Sequence, residues 1–207
     1  MHYDPEREKE LGSEKSLASS FNSNDREADN SQTPEWIIRQ IQDVANIEIA
    51  HDVCARKNSA KAKSYWTQKD DAFTQNWSKK FYDLNAHYEQ VNAFYMNPPF
   101  SLQGKFQDKA LEESKLGVVT MGCCSHSPDR DWFQKMEKTA NYLFVPDGRI
   151  QFNKHDGTKF TRTDKKTGRE VSTGAAFPVC FPLWLPYPNG GQVQIIRFKR
   201  DQKRYSL

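Results

Sequence analysis

The chain has 207 residues, a formal net charge of +3, 28% charged residues and 36% hydrophobic residues. That length suits one domain with appendages, and the low apolar share predicts that part of the chain lies outside the core. No apolar run is long enough for a transmembrane helix, and the N-terminus lacks the apolar stretch of a signal peptide, so we expect a cytoplasmic protein that does not contact a membrane. The four cysteines have no CxxC or metal-type spacing, so we expect reduced thiols and no metal site.

Charge is unevenly distributed along the chain. Residues 1–32 contain four basic and eight acidic side chains, and this polar, Ser/Asn-rich segment is predicted to be a disordered acidic tail. Residues 33–207 therefore carry +7, which favours a polyanionic partner, although such a charge is also common in soluble proteins. Within the predicted domain 33–200, a glycine-containing segment at 153–174 is predicted to form a basic loop or hairpin arm, and 201–207 a basic tail. The candidate phosphate-binding side chains of the arm are Lys159, Arg162, Lys165, Lys166 and Arg169.

The predicted helices and strands alternate along the chain. Thr33 is a candidate N-cap and Pro34 suits the first position of a helix whose apolar residues follow helical spacing. Strands are predicted at 47–53, 94–96, 116–124, 142–145, 149–152, 177–185 and 193–198, and further helices at 106–115 and 132–140. This alternation predicts an α/β fold with a largely parallel sheet, and the Pro/Gly-rich segment 188–191 predicts a terminal antiparallel hairpin from the last two strands.

Polar motifs follow two of the predicted strands. In an open α/β sheet, ligands bind beyond the carboxyl ends of the strands, where Asp52-Val53-Cys54-Ala55 and Asn97-Pro98-Pro99-Phe100 are expected. Two prolines stiffen the second motif, so the Asn97 side chain and the Pro98 carbonyl can present acceptors to one planar amino group. Phe100 offers a stacking face for a flipped base. The motif therefore fits methyl transfer to the amino nitrogen of adenine, although Asn-Pro-Pro also occurs as an ordinary loop stop.

The tetrapeptide resembles motif IV of the amino-methyltransferases, (D/N/S)PP(Y/F/W). An ordered series of further motifs is similar to the phage-type Dam family, the DNA N6-adenine methyltransferases of bacteriophages and prophages. The resemblance spans about residues 33–185, and the further motifs are Thr33-Pro34, Asp52-Val53-Cys54-Ala55, Asn58, Ala60-Lys61, Tyr65-Trp66-Thr67, Asp70-Asp71, Asn76-Trp77, Asp131-Trp132-Phe133, Gly148-Arg149-Ile150-Gln151-Phe152 and Ala176-Phe177-Pro178.

The resemblance implies a Rossmann-like methyltransferase fold that uses S-adenosylmethionine on double-stranded DNA in a bacterial host, with protection of phage DNA from restriction as the biological role. It implies that Asn97, Pro98, Pro99 and Phe100 hold the target adenine. The implied cofactor-binding residues are Thr33, Pro34, Asp52, Cys54, Asp71, Asn76 and Trp77. From the residues alone, Asp52 is also explained as a helix cap or surface charge, and Cys54 and Trp77 as core packing.

Three functions are compatible with the sequence. The first is a DNA adenine-N6 methyltransferase. The second is an RNA-adenine or protein-glutamine methyltransferase, because these enzymes use the same turn for a similar planar amine. The third is a non-catalytic DNA-binding or inhibitory protein on a decayed methyltransferase fold. Asn76, where the family often has Asp, and Cys123-Cys124-Ser125, where it often has proline, keep this third possibility open.

Overall fold

The computed structural model describes residues 31–85, 91–154, 157–172 and 177–199. The chain divides into two units, Met1–Ser31 and Gln32–Leu207, and of the first the structure describes Ser31 alone. The predicted C-terminal tail and all but the last two residues of the predicted acidic tail lie outside the described residues. No helix in the described ranges is long and apolar enough to span a membrane.

The described residues contain four α-helices and one short 3-10 helix. Their bounds are α1 Glu35–Ala45, α2 Trp77–Asn85, the 3-10 helix Phe100–Leu102, α3 Gln103–Ser114 and α4 Asp131–Thr139. In α1 the sequence places Ile37, Ile38 and Ile41 on one face, and all three are buried, so packing of this apolar face stabilises the helix. The helix ends where Asn46 adopts a left-handed conformation with a φ of 51°, which Asn tolerates better than most residues.

Twelve strands occur in the described part of the chain. They are β1 Ser31–Gln32, β2 Ile47–Asp52, β3 Ser64–Tyr65, β4 Val91–Met96, β5 Thr120–Gly122, β6 Cys124–Ser125, β7 Tyr142–Pro146, β8 Asn153–Lys154, β9 Thr161–Thr163, β10 Glu170–Ser172, β11 Val179–Trp184 and β12 Gln194–Phe198. Most of them belong to one mixed sheet, whose order is β12-β7-β11-β5-β4-β2-β3, with β6 also paired to β11. Strands β3, β2, β4 and β5 are parallel, β11 runs antiparallel to both of its neighbours, and β12 is parallel to β7.

The hydrophobic core lies between this sheet and the helices. Strands β4 and β11 are buried along almost their whole length, as expected for central strands covered on both faces. The largest fully buried side chains are Trp77, Trp184, Tyr95, Phe94, Phe133, Phe144 and Phe181. The α/β fold predicted from the sequence is confirmed, and the sheet is mixed because β11 is reversed.

The predicted terminal hairpin is wrong. Strand β12 pairs with β7, in parallel, and not with β11. Strand β11 runs antiparallel to β7, so it ends at the edge of the sheet where β7 begins. The chain then passes the start of β7 along this edge and enters β12 in the same direction as β7. The Asn141 side chain fixes this crossing: its Oδ1 accepts from the Leu185 N–H at 2.8 Å and its Nδ2 donates to the Tyr187 carbonyl at 3.0 Å.

Other boundaries also differ from the sequence predictions. The predicted strand 149–152 is a loop. Ile150 and Phe152 are buried in alternation, as in a strand, but this segment pairs with no strand in the described part of the chain. The predicted strand 116–124 is shortened to β5 and β6, and α3 begins at Gln103, three residues earlier than predicted. Helix α2 and the short strands β1 and β3 were not predicted. Within the basic arm, β9 and β10 pair as an antiparallel hairpin.

Candidate active site

The strand order reverses between β2 and β4, which predicts a crevice at that point. After β2 the chain moves outward to β3 at one edge of the sheet, and after β4 it continues to β5 on the other side. Such a reversal of strand order opens a ligand-binding crevice beyond the carboxyl ends of the two strands. Asp52 is the last residue of β2 and Asn97 follows β4, so the two motifs predicted at strand ends meet at this point. Their backbones are joined by the Val53 N–H to the Tyr95 carbonyl at 2.9 Å, and the Asn97 N–H contacts the Cys54 Sγ at 3.0 Å.

The Asp52 carboxyl is buried at the base of the crevice. It is 3% exposed, and its two oxygens accept from the backbone N–H groups of Cys54 at 3.2 Å and Lys61 at 3.0 Å. Burial raises the pKa of Asp52 to about 6, while these two hydrogen bonds and the Lys61 charge oppose that rise. Asp52 thus holds the Lys61 loop against the end of β2. The sequence-based alternative of a surface charge is inconsistent with this burial.

Lys61 is a charged residue of the crevice to which the sequence analysis gave no role. Its side chain is 9% exposed, and its Nζ lies 4.0 Å from the Glu35 carboxylate of α1. Burial lowers the pKa of Lys61, and Glu35 and Asp52 partly counteract this. The ion pair connects the start of α1 with the loop beside Asp52. The sequence signals for Lys61 are its place in the Ala60-Lys61 motif and its proximity to the Asp52 motif along the chain.

The Asn-Pro-Pro-Phe turn leads from β4 into the 3-10 helix. Pro98 is buried, whereas Asn97 and Phe100 are half-buried. The Phe100 ring packs edge-on against Phe177, with centroids 4.4 Å apart. Phe177 precedes β11, so the reversed strand delivers a second aromatic ring to the turn. The sequence could not assign this role, because the contact depends on the position of β11 in the sheet.

The side chain of Gln103 connects the turn to the far side of the crevice. Gln103 is the first residue of α3 and is 2% exposed. Its Oε1 accepts from both the N–H and the hydroxyl of Ser125, each at 3.1 Å. It therefore fixes the start of α3 against β6. A lone polar residue at the beginning of a helix carries no sequence signal for such a distant partner.

Thr33 does not cap α1, in contrast to the sequence prediction. Pro34 occupies the N-cap position, which has no side-chain hydrogen bond, so Pro34 precedes the first helical residue. The Thr33 side chain is buried, and its Oγ1 lies 2.6 Å from the Tyr95 hydroxyl. Tyr95 is in β4, two residues before Asn97. The contact places the segment before α1 beneath the crevice.

Asp71, Asn76 and Trp77 lie in and after the loop that follows β3. Asp71 is exposed in a left-handed conformation with a φ of 50°, and its Oδ1 accepts from the Phe73 N–H at 3.1 Å. Asn76 is exposed and its Oδ1 accepts from the Lys79 N–H at 2.8 Å, which is the geometry of an N-cap for α2. Trp77 is fully buried, and its Nε1–H donates to the Ala72 carbonyl at 2.8 Å. Trp77 therefore supports this loop from the core side.

The β9–β10 hairpin presents its cations to solvent. Arg162, Lys165, Lys166 and Arg169 are all exposed. The Asp164 Oδ1 accepts from the N–H groups of Lys166 and Thr167, at 2.8 and 2.9 Å, and so shapes the turn between the strands. These hydrogen bonds lower the pKa of Asp164. The hairpin is a defined element that could contact phosphates with side chains of one sign.

The chain belongs to a family of DNA-modifying enzymes. The model of the DNA N-6-adenine-methyltransferase (Dam) family matches residues 20–181, which is more than half of the chain, so the chain is a member of that methyltransferase family. It is also similar to the DNA N-6-adenine-methyltransferase of Haemophilus phage HP1 (strain HP1c1). The two are 24% identical over 136 residues, which cover 64% of this chain and 72% of the phage protein. The resemblance to the Dam family inferred from the motifs is confirmed.

Proposed function

We propose that the protein transfers a methyl group from S-adenosylmethionine to the exocyclic N6 amine of a flipped adenine in double-stranded DNA, on a Rossmann-like fold. The observation that carries this proposal is the meeting of the Asp52 and Asn97 motifs at the point where the strand order reverses. In a member of the Dam family, that crevice is the expected position for cofactor and target base.

The residues around Asp52 fit the proposed cofactor. When bound, S-adenosylmethionine would supply a methyl group on a positively charged sulfur. The ionised Asp52 carboxylate and the half-exposed Cys54 would lie at its methionine end, with Thr33 and Pro34 at the wall of the pocket. The exposed carboxylate of Asp71 could accept hydrogen bonds from ribose hydroxyls, while Asn76 and the buried Trp77 hold that loop in place.

The Asn97 turn fits a planar amine. The Asn97 side-chain oxygen and the Pro98 carbonyl would accept the two N–H bonds of the adenine amine, drawing its lone pair towards the methyl group. The Phe100 ring, held by Phe177, would stack on the base. As the bond from N6 to the methyl carbon forms, the bond from that carbon to sulfur would break and its electron pair would leave with the neutral thioether. The methylated nitrogen would then lose one proton to solvent, so the turn needs position and electrostatics more than a strong base.

DNA would be held by the hairpin. Lys159, Arg162, Lys165, Lys166 and Arg169 are all exposed in or beside it, and contacts to phosphate position a duplex without identifying its sequence. Methylation of phage DNA in the host cytoplasm would mask sites that a restriction enzyme cleaves. This role would be tested by comparing the restriction sensitivity of DNA from cells with and without the active protein.

The decisive experiment is mass spectrometry of nucleosides from DNA incubated with the protein and S-adenosylmethionine. We expect N6-methyldeoxyadenosine from the parent protein, and at least about 100-fold less from Asn97→Ala. Asn97→Asp, which keeps the acceptor oxygen and matches the motif, should retain more activity. Gln192→Ala, which removes an exposed amide in the connection between β11 and β12, is the matched control and should be fully active.

Cofactor binding by calorimetry decides what a negative result means. Cofactor binding without methylated DNA would overturn the DNA proposal and favour RNA or protein amides as substrates, which are then tested with extracts. DNA binding with no cofactor binding would favour a non-catalytic protein on a methyltransferase fold.

A further inference from the structure

A second pocket lies outside the Asn97 turn. It has a volume of about 370 Å³ and opens between the start of α1 and the loop that follows β7. Pro34 and Trp36 form one wall, and the segment 146–151 forms the other, with Lys159 and Phe198 at its sides. None of the residues from Asn97 to Phe100 lines it, nor does Asp52. The proposed function uses two of the lining residues, Pro34 beside the cofactor and Lys159 on DNA phosphate, and assigns no ligand to the rest of the pocket.

The walls of the pocket combine three kinds of group. The half-buried indole of Trp36 and the half-buried ring of Phe198 give it two aromatic surfaces within a lining that is mostly polar. Arg149 and Lys159 are exposed cations at the pocket, and Gln151 and Asn153 contribute side-chain amides. Aromatic surfaces stack with bases, cations contact phosphates, and amides form hydrogen bonds with base edges. This combination suits one nucleotide, and the volume is at the small end of the range for ligand pockets.

The position of the pocket relates it to the Asn97 turn. The sheet order places β7 three strands from β4, and both strands point towards the same edge of the sheet. With strands about 4.8 Å apart, the lateral separation is roughly 14 Å. Successive nucleotides of one DNA strand are about 3.4 Å apart, so this separation corresponds to about four nucleotide steps. Lys159 also lies just before the β9–β10 hairpin, so the pocket is next to the proposed DNA-binding element.

We propose that this pocket holds one nucleotide of the DNA other than the target adenine, with its base against Trp36 and its phosphate between Arg149 and Lys159. Asp147, exposed at the pocket, would accept a hydrogen bond from an exocyclic amine, which disfavours thymine there because it is the one DNA base without such an amine. The proposal rests on the proposed function, since it assumes DNA as substrate. It assigns to the loop after β7 a role in selecting the sequence around the methylated base.

Equilibrium DNA binding tests the pocket without any methyl transfer. Fluorescein-labelled duplex DNA is titrated with protein and followed by anisotropy. Trp36→Ala should weaken binding about 5- to 150-fold, the range for loss of one stacked base, whereas Trp36→Phe should keep most of the affinity. Tyr187→Ala, which removes an exposed aromatic side chain elsewhere, is the matched control and should bind like the parent. Affinity of Trp36→Ala equal to that of the control would overturn the proposal.

A scan with abasic sites identifies the nucleotide. Duplexes that lack one base at each position up to about five from the methylated adenine are compared for binding. One position should cost affinity in the parent and cost nothing further in Trp36→Ala, because the two changes remove the same contact. If every abasic position costs the same in both proteins, the proposal is wrong.

A second variant tests the proposal independently, in case Trp36→Ala does not fold. Arg149→Ala/Lys159→Ala changes exposed side chains and should lower the slope of log affinity against log salt by about 2. An unchanged slope would contradict the phosphate contacts. The remaining alternative is that the pocket binds the cofactor, and calorimetry with S-adenosylmethionine tests it. Loss of cofactor binding in Trp36→Ala, with DNA binding intact, would assign the pocket to the cofactor and overturn this inference. DNA binding that depends on Trp36 in a protein that methylates nothing would instead contradict the proposed reaction and leave the pocket assignment standing.

Discussion

At the scale of single residues, the buried carboxyl of Asp52 couples stability to pH. Its pKa is about 6 in the folded protein, whereas an ordinary aspartate has 3.8. Between these values the folded state binds more protons than the unfolded state, so the free energy of unfolding falls as pH rises. Above about pH 6 the ionised carboxylate lowers stability by about 3 kcal/mol relative to acid conditions. A cofactor that hydrogen-bonds the ionised form would recover part of that free energy on binding.

The pH dependence is tested by comparing the parent with Asp52→Asn. We expect the stability of the parent, relative to Asp52→Asn, to increase as the pH is lowered from 7.5 to 4.5, because only the parent has this titrating group. The measurement is denaturant unfolding at several pH values, and other carboxyl groups cancel in the difference. A pH-independent difference between the two proteins would show that Asp52 titrates normally.

The hydrogen bond between Thr33 and Tyr95 gives a second test at this scale. Both side chains are buried, and the two oxygens are 2.6 Å apart. Thr33→Val and Tyr95→Phe should each destabilise the protein, and the double variant should show a coupling energy of about 1 kcal/mol in unfolding experiments. Thr33→Ser keeps the hydroxyl and is the control. Additive effects of the two changes would mean that the contact does not contribute.

At the scale of elements, sequence reasoning succeeded where local patterns determine structure. The apolar face of α1 is visible as spacing and forms as predicted. The predicted strand 94–96 forms as the second half of β4, which begins earlier, at Val91. The polar turn after β4 is fixed by its own two prolines, so the position of Asn97 at a strand end could also be predicted. The contacts that complete the site could not be predicted from the sequence, because Phe177, Gln103 and Tyr95 contact residues that are distant along the chain.

The errors arose where pairing over long distances decides the outcome. Pro188-Asn189-Gly190-Gly191 has the composition of a tight turn, yet the side chains of Asn141 and Asn189 hold this connection against the start of β7. Strand β12 then finds a parallel partner that the sequence does not reveal. Helix α2 was missed because its buried residues, Trp77 and Phe81, are too few to produce a clear periodic pattern.

The β9–β10 hairpin makes a prediction as an element. Replacing Lys165, Lys166 and Arg169 together by alanine should weaken DNA binding evenly across sequences and reduce the salt slope by about 3, if each side chain contacts one phosphate. The matched control replaces three exposed lysines elsewhere: Lys79, Lys115 and Lys138. Anisotropy titrations at several salt concentrations measure the slope. Equal losses in the two triple variants would show that the hairpin acts only through total charge.

At the scale of the whole molecule, charge is divided between two segments. Residues 1–30 carry −4, so their removal changes the formal net charge from +3 to +7. Such a truncation keeps β1, in which the Gln32 Nε2 donates to the Lys154 carbonyl at 2.7 Å. The acidic segment should therefore weaken DNA binding by electrostatic repulsion while contributing little to folding.

Deleting residues 1–30, which keeps β1 whole, should leave the thermal midpoint unchanged and tighten DNA binding at low salt, with the two proteins converging as salt rises and screens the charges. The full-length control replaces the eight acidic residues of the segment by their amides. It should reproduce the gain in affinity if charge is the cause, and lack it if the length of the segment blocks the DNA. A lower midpoint for the truncated protein would mean that the segment stabilises the fold, and weaker DNA binding would mean that it contributes contacts to the duplex.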